Sequence, residues 1–226
     1  MREATVRTAD GLDLLAWYAP RTVSDAHVLV YFHGNAGTLN ERADKLRPYL
    51  EAGLGVLAVS WRGFGGNPGR PTEEGLYRDA DAAIELLGAM GHPPQDLVLY
   101  GESLGTAVAT RCAVEYPVAA LVLEAPPLSI VKMGQWRYPW LPVGPLTKDR
   151  FETDRRIQQV RCPILIMHGR NDGVVPFEMG QTLARLANGR AVFRPFDEAH
   201  HTNLHEYGSD RHVLDFLAEL GLATAP

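Results

Sequence analysis

Five short apolar runs recur along the chain, and helical patterns lie between them. The runs cover residues 28–32, 55–59, 97–100, 120–123 and 164–167. Because these runs lack the alternation of a half-exposed strand, they are typical of parallel strands that are covered on both faces. The helical patterns cover residues of about 40–52, 73–90, 104–116, 177–187 and 210–220. The alternation predicts a parallel sheet with helices packed on it.

A leading hairpin and a last strand complete the predicted sheet. Residues of about 3–8 and 12–18 flank Asp10-Gly11, a dipeptide favoured where a tight turn needs a positive φ. A further strand is expected near residues 190–195. The pattern therefore predicts an α/β fold with an eight-stranded, mostly parallel sheet, helices on both faces, and ligands at the carboxyl ends of the strands.

Composition indicates one ordinary enzyme-sized domain. The chain has 226 residues, of which 46% are hydrophobic and 22% charged, so we expect a single domain over residues 1–226. The net charge of −5 comes without a long basic run, which argues against nucleic acid or an anionic membrane surface as the main partner. No early apolar stretch is long enough for a signal peptide or a membrane span, which predicts a cytoplasmic protein without a stable membrane anchor.

The most informative motif is Gly101-Glu102-Ser103-Leu104-Gly105, which follows an apolar strand and opens a helix rich in small residues. Strand, Gly-x-Ser-x-Gly and helix in this order are the layout of a nucleophile elbow, which exposes a serine beside a base and backbone N–H donors. The pentapeptide alone is also consistent with an ordinary turn. Its interpretation depends on what partners the chain supplies.

Two later strand ends supply an acid and a base. Asp172 follows the strand at 164–167, where a carboxylate can orient an imidazole. His200 and His201 are adjacent in the loop after the last strand, and His205 is a weaker third candidate. A histidine with a pKa of about 6.5 can accept the serine proton near neutral pH. Nucleophile, acid and histidine then follow the chain order of α/β-hydrolases.

The turn after the first parallel strand is a candidate oxyanion site. It reads His33-Gly34-Asn35-Ala36-Gly37. We expect the backbone N–H groups of Asn35 and Leu104 to stabilise an oxyanion together. His33 is expected to brace the turn, and Arg62 and Asp79 to be structural partners.

The chain as a whole resembles the α/β-hydrolase superfamily. More narrowly, the motifs at 33–37 and at 61–80, which begins Trp-Arg-Gly-Phe-Gly-Gly-Asn-Pro-Gly-Arg, resemble the Bem46-like serine hydrolases, a group that includes depalmitoylating hydrolases. In that group the base is followed by two polar residues and a leucine. The match to His201-Thr202-Asn203-Leu204 implies that His201 is the base, although His200 replaces the usual small residue before it.

An irregular segment at about 126–160 is the predicted cap. Connections of this length in a compact domain are usually functional. Its Trp136 and Trp140 are expected either to line an apolar substrate pocket or to pin the cap to the core. The short cap favours a substrate of small to medium size, and the lack of an N-terminal cysteine cluster argues against protein depalmitoylation. Cys112 and Cys162 are expected to be free thiols.

Taken together, these features predict a carboxylesterase-like serine hydrolase. The predicted reaction cleaves a small-molecule carboxylic ester or thioester of small to medium acyl size through an acyl-enzyme on Ser103, with Asp172 and His201. No metal-ligand pattern such as His-Glu-x-x-His occurs, and the chemistry needs neither a metal nor an organic cofactor. Acyl-thioesterase, lipase or peptidase activity on the same residues is an alternative. So is a non-catalytic binding protein that kept the fold. The sequence does not predict an oligomeric state.

Overall fold

The computed structural model describes residues 1–223, and its eight strands form one sheet. The strands are β1 (Arg2–Arg7), β2 (Asp13–Ala19), β3 (Val28–Phe32), β4 (Gly55–Val59), β5 (Leu97–Glu102), β6 (Ala120–Glu124), β7 (Ile164–Gly169) and β8 (Ala191–Phe196). Their order in space is β1-β2-β4-β3-β5-β6-β7-β8. The hairpin β1–β2 joins β4 in antiparallel pairing, and all later neighbours pair in parallel. The predicted eight-stranded, mostly parallel sheet is confirmed.

Helices cover both faces of this sheet. The helices are α1 (Ala43–Glu51), α2 (Glu73–Ala89), α3 (Leu104–Glu115), α4 (Ile130–Arg137), α5 (Val143–Leu146), α6 (Thr153–Arg156), α7 (Phe177–Leu186) and α8 (Ser209–Glu219). Apolar side chains of α1 and α8 pack on one face, and those of α2, α3 and α7 pack on the other. Successive residues of a strand therefore face different helices: Tyr31 joins the first core, whereas Val30 and Phe32 join the second.

This two-sided burial explains the continuous apolar runs in the sequence. Every residue of β3, β4 and β6 is buried. Fully burying one such aliphatic side chain contributes about 1.5–3 kcal/mol, so the central strands supply much of the driving force for folding. Both cysteines are free, as expected, and burial raises the pKa of the Cys112 thiol to about 12.

The segment between β6 and β7, here called the cap (residues 126–160), consists of α4, α5, α6 and a short 3-10 turn (Ile157–Gln159). Its main polar attachment is the first residue of α2. The carboxylate of Glu73 accepts hydrogen bonds from the backbone N–H groups of Arg150 at 2.7 Å and Phe151 at 3.0 Å. Asp149 in turn accepts a 2.8 Å bond from the Glu73 backbone N–H. These reciprocal bonds fix residues 149–151 of the cap to the start of helix α2.

Candidate active site

Ser103 lies between the end of β5 and the start of α3, in a sharp turn. Its φ of 51° and ψ of −115° are unusual for a residue with a side chain. Such a backbone costs on the order of 1–3 kcal/mol and persists only where the surroundings impose it. The two flanking glycines allow this turn: a Cβ on Gly101 would lie 2.6 Å from the carbonyl oxygen of Gly105, and a Cβ on Gly105 would overlap the carbonyl of Phe32.

Three side chains from distant parts of the chain form a continuous hydrogen-bond chain at this turn. The Nε2 atom of His201 lies 3.0 Å from the Oγ atom of Ser103. On the other side of the ring, Nδ1 lies 2.8 Å from Oδ2 of Asp172. The carboxylate of Asp172 is fully buried, whereas the imidazole of His201 is 14% exposed. The serine, the acid and the base predicted from the sequence are therefore brought together in one place.

The neighbouring histidines occupy other positions. His200 is exposed, and its Nδ1 lies 2.9 Å from the backbone carbonyl oxygen of Asn171. His205 lies in the 3-10 turn that follows the loop and lines a separate surface cavity beside Arg42. Of the three histidines considered from the sequence, the structure places His201 at Ser103.

The carboxylate of Asp172 accepts hydrogen bonds from four donors. Its Oδ1 accepts bonds of 2.8 Å from the backbone N–H groups of both Val174 and Val175. Its Oδ2 is shared by His201 and by the buried His168, whose Nε2 is 3.1 Å away. Burial raises the pKa of the Asp172 carboxyl, but the bonds from His168 and His201 outweigh burial and hold that pKa below its ordinary value. The site thus keeps an ionised acid in a dry environment.

His168 is a contributor that the sequence analysis did not identify. Its Nε2 also lies 3.1 Å from the carbonyl oxygen of Val175, so the N–H on that atom points at the loop that holds Asp172. Its position four residues before the acid was the available signal, because both residues flank the end of the same strand.

Two residues beside Ser103 have backbone N–H groups that make no hydrogen bond within residues 1–223. They are Asn35, in the turn after β3, and Leu104, the first residue of α3. Both residues line the same cavity as Ser103. Gly34 brings the turn close, because a Cβ there would lie 3.2 Å from the Cβ of Ser103. The arrangement leaves two donors available to a ligand atom beside the serine.

Beneath the elbow lies a buried set of charges, here called the elbow cluster: Arg42, Lys45, Glu102 and Glu124. The ammonium group of Lys45 lies 2.6 Å from Glu102 and 2.7 Å from Glu124. Arg42 binds Glu102 at 2.8 Å and also donates a 2.9 Å bond to the carbonyl of Ala36, in the turn after β3. The cluster therefore ties the serine turn, β6 and the turn that carries Asn35 to one another.

Mutual attraction keeps Glu102 and Lys45 ionised despite burial. Burial raises the pKa of Glu102, but Lys45 and Arg42 outweigh it and lower that pKa below the ordinary value. Burial lowers the pKa of Lys45, but Glu124 and Glu102 more than reverse this effect. Two buried tyrosines complete the shell, Tyr31 donating to Glu102 and Tyr100 to Glu124.

An apolar cavity of about 330 Å³ opens beside Ser103. Leu104, Pro71 and Val174 line it from the body of the fold. The cap contributes Pro127, Ile130, Met133, Asp149 and Phe151. A cavity of this size and lining can take an acyl or alkyl group whose carbonyl lies at the serine.

The two cap tryptophans lie outside this lining. Trp136 is 49% exposed and Trp140 is 77% exposed, and neither contributes to the cavity or to a buried core cluster. Both expectations for them, lining the pocket and pinning the cap, are therefore corrected. Ile130 and Met133 of helix α4 line the cavity instead. Trp136 lies near the end of that helix and Trp140 beyond it, and both side chains are largely exposed.

Three residues interpreted as structural have structural contacts. The backbone N–H of Trp61 donates to Nε2 of His33 at 3.3 Å, and its indole N–H donates to the His33 carbonyl at 2.9 Å. Burial lowers the pKa of His33 to about 4, so this ring is neutral at pH 7. Arg62 binds Asp79 and Asp10, each at 2.8 Å.

Within residues 1–223, no group of three or more histidine, cysteine, aspartate or glutamate side chains is arranged to hold a metal ion. In the same part of the chain, the helices all fall short of the length and apolarity that a membrane crossing requires.

Several known proteins are similar to this chain in sequence or in fold. An uncharacterised protein of Mycobacterium tuberculosis is 43% identical over 189 residues, which cover 82% of this chain and 67% of that protein. The lysophosphatidylserine lipase ABHD12 of Mus musculus is 32% identical over 211 residues, covering 84% of this chain. The match spans 52% of ABHD12, so this chain corresponds to about half of that relative.

Solved structures agree on the fold. The Pyrococcus furiosus esterase Pf2001 superposes with a TM-score of 0.77 at 20% identity, covering 96% of this chain and 91% of the esterase. The Rhodococcus esterase RhEst1 superposes with a TM-score of 0.77 at 17% identity, covering 97% of this chain and 100% of the esterase. At these identities the likeness concerns the fold alone. The sequence also matches the alpha/beta hydrolase family over residues 28–155, and the chain belongs to that family.

Proposed function

We propose that this protein is a serine hydrolase that cleaves carboxylic esters or thioesters of small to medium acyl size through an acyl-enzyme on Ser103. The observation that carries the proposal is the hydrogen-bond chain from Ser103 through His201 to the buried Asp172. Membership in the alpha/beta hydrolase family supports hydrolysis as the reaction class. We also infer that the chain forms one hydrolase domain, within the Bem46-like group suggested by its motif at 61–80.

In the proposed first step, the Ser103 oxygen attacks the carbonyl carbon while Nε2 of His201 takes the serine proton. The tetrahedral intermediate then collapses, the bond to the alcohol or thiol breaks, and His201 returns its proton to that leaving group. In the second step His201 deprotonates water, whose oxygen attacks the acyl carbon. The bond between the acyl carbon and the Ser103 oxygen then breaks, the acid is released, and His201 returns its proton to Ser103. Asp172 stays ionised throughout and stabilises the imidazolium, consistent with its lowered pKa.

The proposed oxyanion site consists of the N–H groups of Asn35 and Leu104. Preorganised donors of this kind each contribute on the order of 10²–10³-fold in kcat, because they need no reorganisation when charge develops. The link from Arg42 to both Ala36 and Glu102 supports this role, since it holds the two donor-bearing turns at a constant separation.

A labelling experiment tests the proposed chemistry. A fluorophosphonate probe is expected to modify the wild-type protein and to leave Ser103→Ala unlabelled, with Ser24→Ala, which changes an exposed serine outside the site, as a control that retains labelling. Folding of each variant is checked by circular dichroism. Absence of labelling in the folded wild type would favour the non-catalytic binding protein instead.

Substrate size is tested with a panel of nitrophenyl esters and acyl-thioesters of graded chain length. The cavity of about 330 Å³ supports an optimum at short to medium chains. A second candidate is a lipase acting on a single-chain lipid, which is favoured by the relative named lysophosphatidylserine lipase. A rate that keeps rising towards long acyl chains would support that second candidate over the first.

A further inference from the structure

The outer side of the cap exposes an unusual amount of aromatic and aliphatic surface. Trp140 is 77% exposed and Leu146 is 68% exposed, while Trp136 and Tyr138 are each 49% exposed. A contiguous exposed patch of large apolar side chains is uncommon on a monomer and generally marks an interaction site. We use the name cap surface for these four residues together with the basic residues Arg137 and Lys148.

The cap surface is one structural unit rather than scattered side chains. The rings of Tyr138 and Trp140 meet edge to face with centroids 6.2 Å apart. Helix α4, which carries Trp136, packs on α5, which carries Leu146, through the close approach of Gly134 to Val143. The same α4 sends Ile130 and Met133 into the cavity beside Ser103. Helix α4 therefore connects the cap surface with one wall of that cavity.

Charge distinguishes the cap surface from the rest of the protein. The whole chain has a net charge of −5, yet residues 126–148 contain Lys132, Arg137 and Lys148 and no acidic residue. Lys132 is paired with Asp154 at 2.5 Å. Arg137 and Lys148 have no carboxylate within ion-pairing distance in the described part of the chain. The surface thus combines exposed aromatic rings with two unpaired cations.

We propose that the cap surface docks this protein reversibly on an anionic lipid surface, with the mouth of the Ser103 cavity next to the bilayer. Tryptophan and tyrosine favour the membrane–water interface because their rings are apolar and their N–H or O–H groups stay hydrated. Lysine and arginine beside them gain from acidic headgroups. A lipid surface is favoured over a protein partner because residues 126–148 carry three cations and no carboxylate, which suits a broadly anionic surface. The expectation drawn from overall charge, that an anionic membrane is not the main partner, took no account of this local distribution.

Docking requires no chemistry at Ser103, so it goes beyond the proposed hydrolysis and is tested independently. Co-sedimentation is measured for wild type and for Ser103→Ala, with vesicles of pure phosphatidylcholine and with vesicles of equal parts phosphatidylcholine and phosphatidylglycerol. Both proteins are expected to bind the anionic vesicles more strongly. Equal binding by Ser103→Ala separates docking from any failure of the enzymatic proposal.

Two double variants resolve the contributions. Arg137→Gln with Lys148→Gln is expected to weaken binding to anionic vesicles by about twentyfold at low salt, since each cation near the surface contributes about fivefold. Trp136→Ser with Trp140→Ser is expected to weaken binding to both vesicle types by more than about tenfold. Controls outside the cap, the exposed Arg190→Gln and Met90→Ser, are expected to bind like wild type. Circular dichroism reports whether the variants remain folded.

Three results would overturn the proposal. The first is that wild type binds neither vesicle type. The second is that the tryptophan double variant binds as strongly as wild type. The third is that wild type is a dimer and the tryptophan double variant is a monomer. The third result would assign the cap surface to contact between two copies of the chain.

Discussion

The two halves of the candidate active site are built in opposite ways. The half below the reacting atoms comes from strand ends: Ser103 and Asp172 follow β5 and β7, and the elbow cluster beneath them is buried and fully ion-paired. The half above is the cap, whose main polar attachment is Glu73 and whose outer side is exposed. The residues proposed to do the chemistry therefore come from strand ends, whereas one wall of the cavity comes from a segment whose outer side is exposed.

The largest expected effect is on catalysis, and it tests whether the half of the site below the reacting atoms needs the imidazole of His201. His201→Ala is expected to lower kcat/KM for a nitrophenyl ester by at least about 10⁴-fold, because no other base lies at Ser103. His200→Ala, which removes only the neighbour bound to the Asn171 carbonyl, is expected to stay within a few-fold of wild type. A larger loss in the His200 variant would reverse the assignment.

The next effect concerns the acid. Asp172→Asn is expected to lower kcat by about 10⁴-fold, because an amide donates to Nδ1 of His201 and thereby stabilises the wrong tautomer. KM is expected to change little, since Asp172 is buried and absent from the cavity lining. Steady-state kinetics at constant pH checks this, and activity within tenfold of wild type would remove Asp172 from the mechanism.

The elbow cluster predicts a loss of stability. Lys45→Met leaves Glu102 and Glu124 buried without their shared cation, which is expected to lower the free energy of unfolding by about 3–5 kcal/mol. Combining it with Glu124→Gln is expected to recover part of that loss, because Glu102 keeps its ion pair with Arg42 and no second buried carboxylate remains beside it. Urea unfolding measures all three proteins, and the exposed Arg185→Met serves as a control within about 0.5 kcal/mol of wild type. A Lys45 variant as stable as the control would contradict the interpretation.

The buried His33, which follows β3, predicts how the free energy of unfolding changes with pH. Burial lowers its folded-state pKa from 6.5 to about 4, so the unfolded chain binds this proton at higher pH than the folded protein does. The contribution to stability is therefore complete above the unfolded pKa and is lost as the pH falls from about 6.5 towards 4, by about 3 kcal/mol at most. Urea unfolding at pH 7.5 and 4.5 is expected to show a smaller decrease for His33→Gln than for wild type. Equal decreases would exclude His33 as the origin.

The smallest effect concerns the cap attachment. Glu73→Ala removes the acceptor of the Arg150 and Phe151 backbone bonds and loosens one wall of the cavity. KM for medium-chain esters is expected to rise a few-fold while kcat for the shortest ester stays near wild type. Glu74→Ala, which changes the exposed neighbour, is the matched control. An identical change in KM for all chain lengths would mean that the cap does not discriminate between acyl groups.

The same division decides how much could be predicted from the sequence. The strands were predictable because burial on both faces requires continuous apolar runs, and Asp172 because it ends such a run. His201 needed the resemblance to related hydrolases, since spacing alone does not separate it from His200. The orientation of the side chains in the cap could not be predicted, because an irregular segment has no hydrophobic period that shows which side faces the core. Trp136 and Trp140 therefore read as pocket residues although they lie outside.

The elbow cluster could have been predicted from two glutamates in the sequence. Glu102 and Glu124 end two apolar strands, and the sheet register places them directly opposite each other. Two carboxylates at one buried edge require cations, and Arg42 and Lys45 lie on the segment that covers that edge. Charged residues at the ends of continuous apolar runs are worth pairing in this way before a structure is available.

The elbow cluster also has a consequence for engineering this scaffold. Its members come from three separate segments of the chain, and each depends on the charge of the others. A designer who replaces Glu102, inside the nucleophile motif itself, must therefore redesign its partners Arg42 and Lys45 in the same step. Libraries that vary one position at a time will find these sites intolerant, whereas coordinated replacement by neutral side chains gives a route to altered elbows.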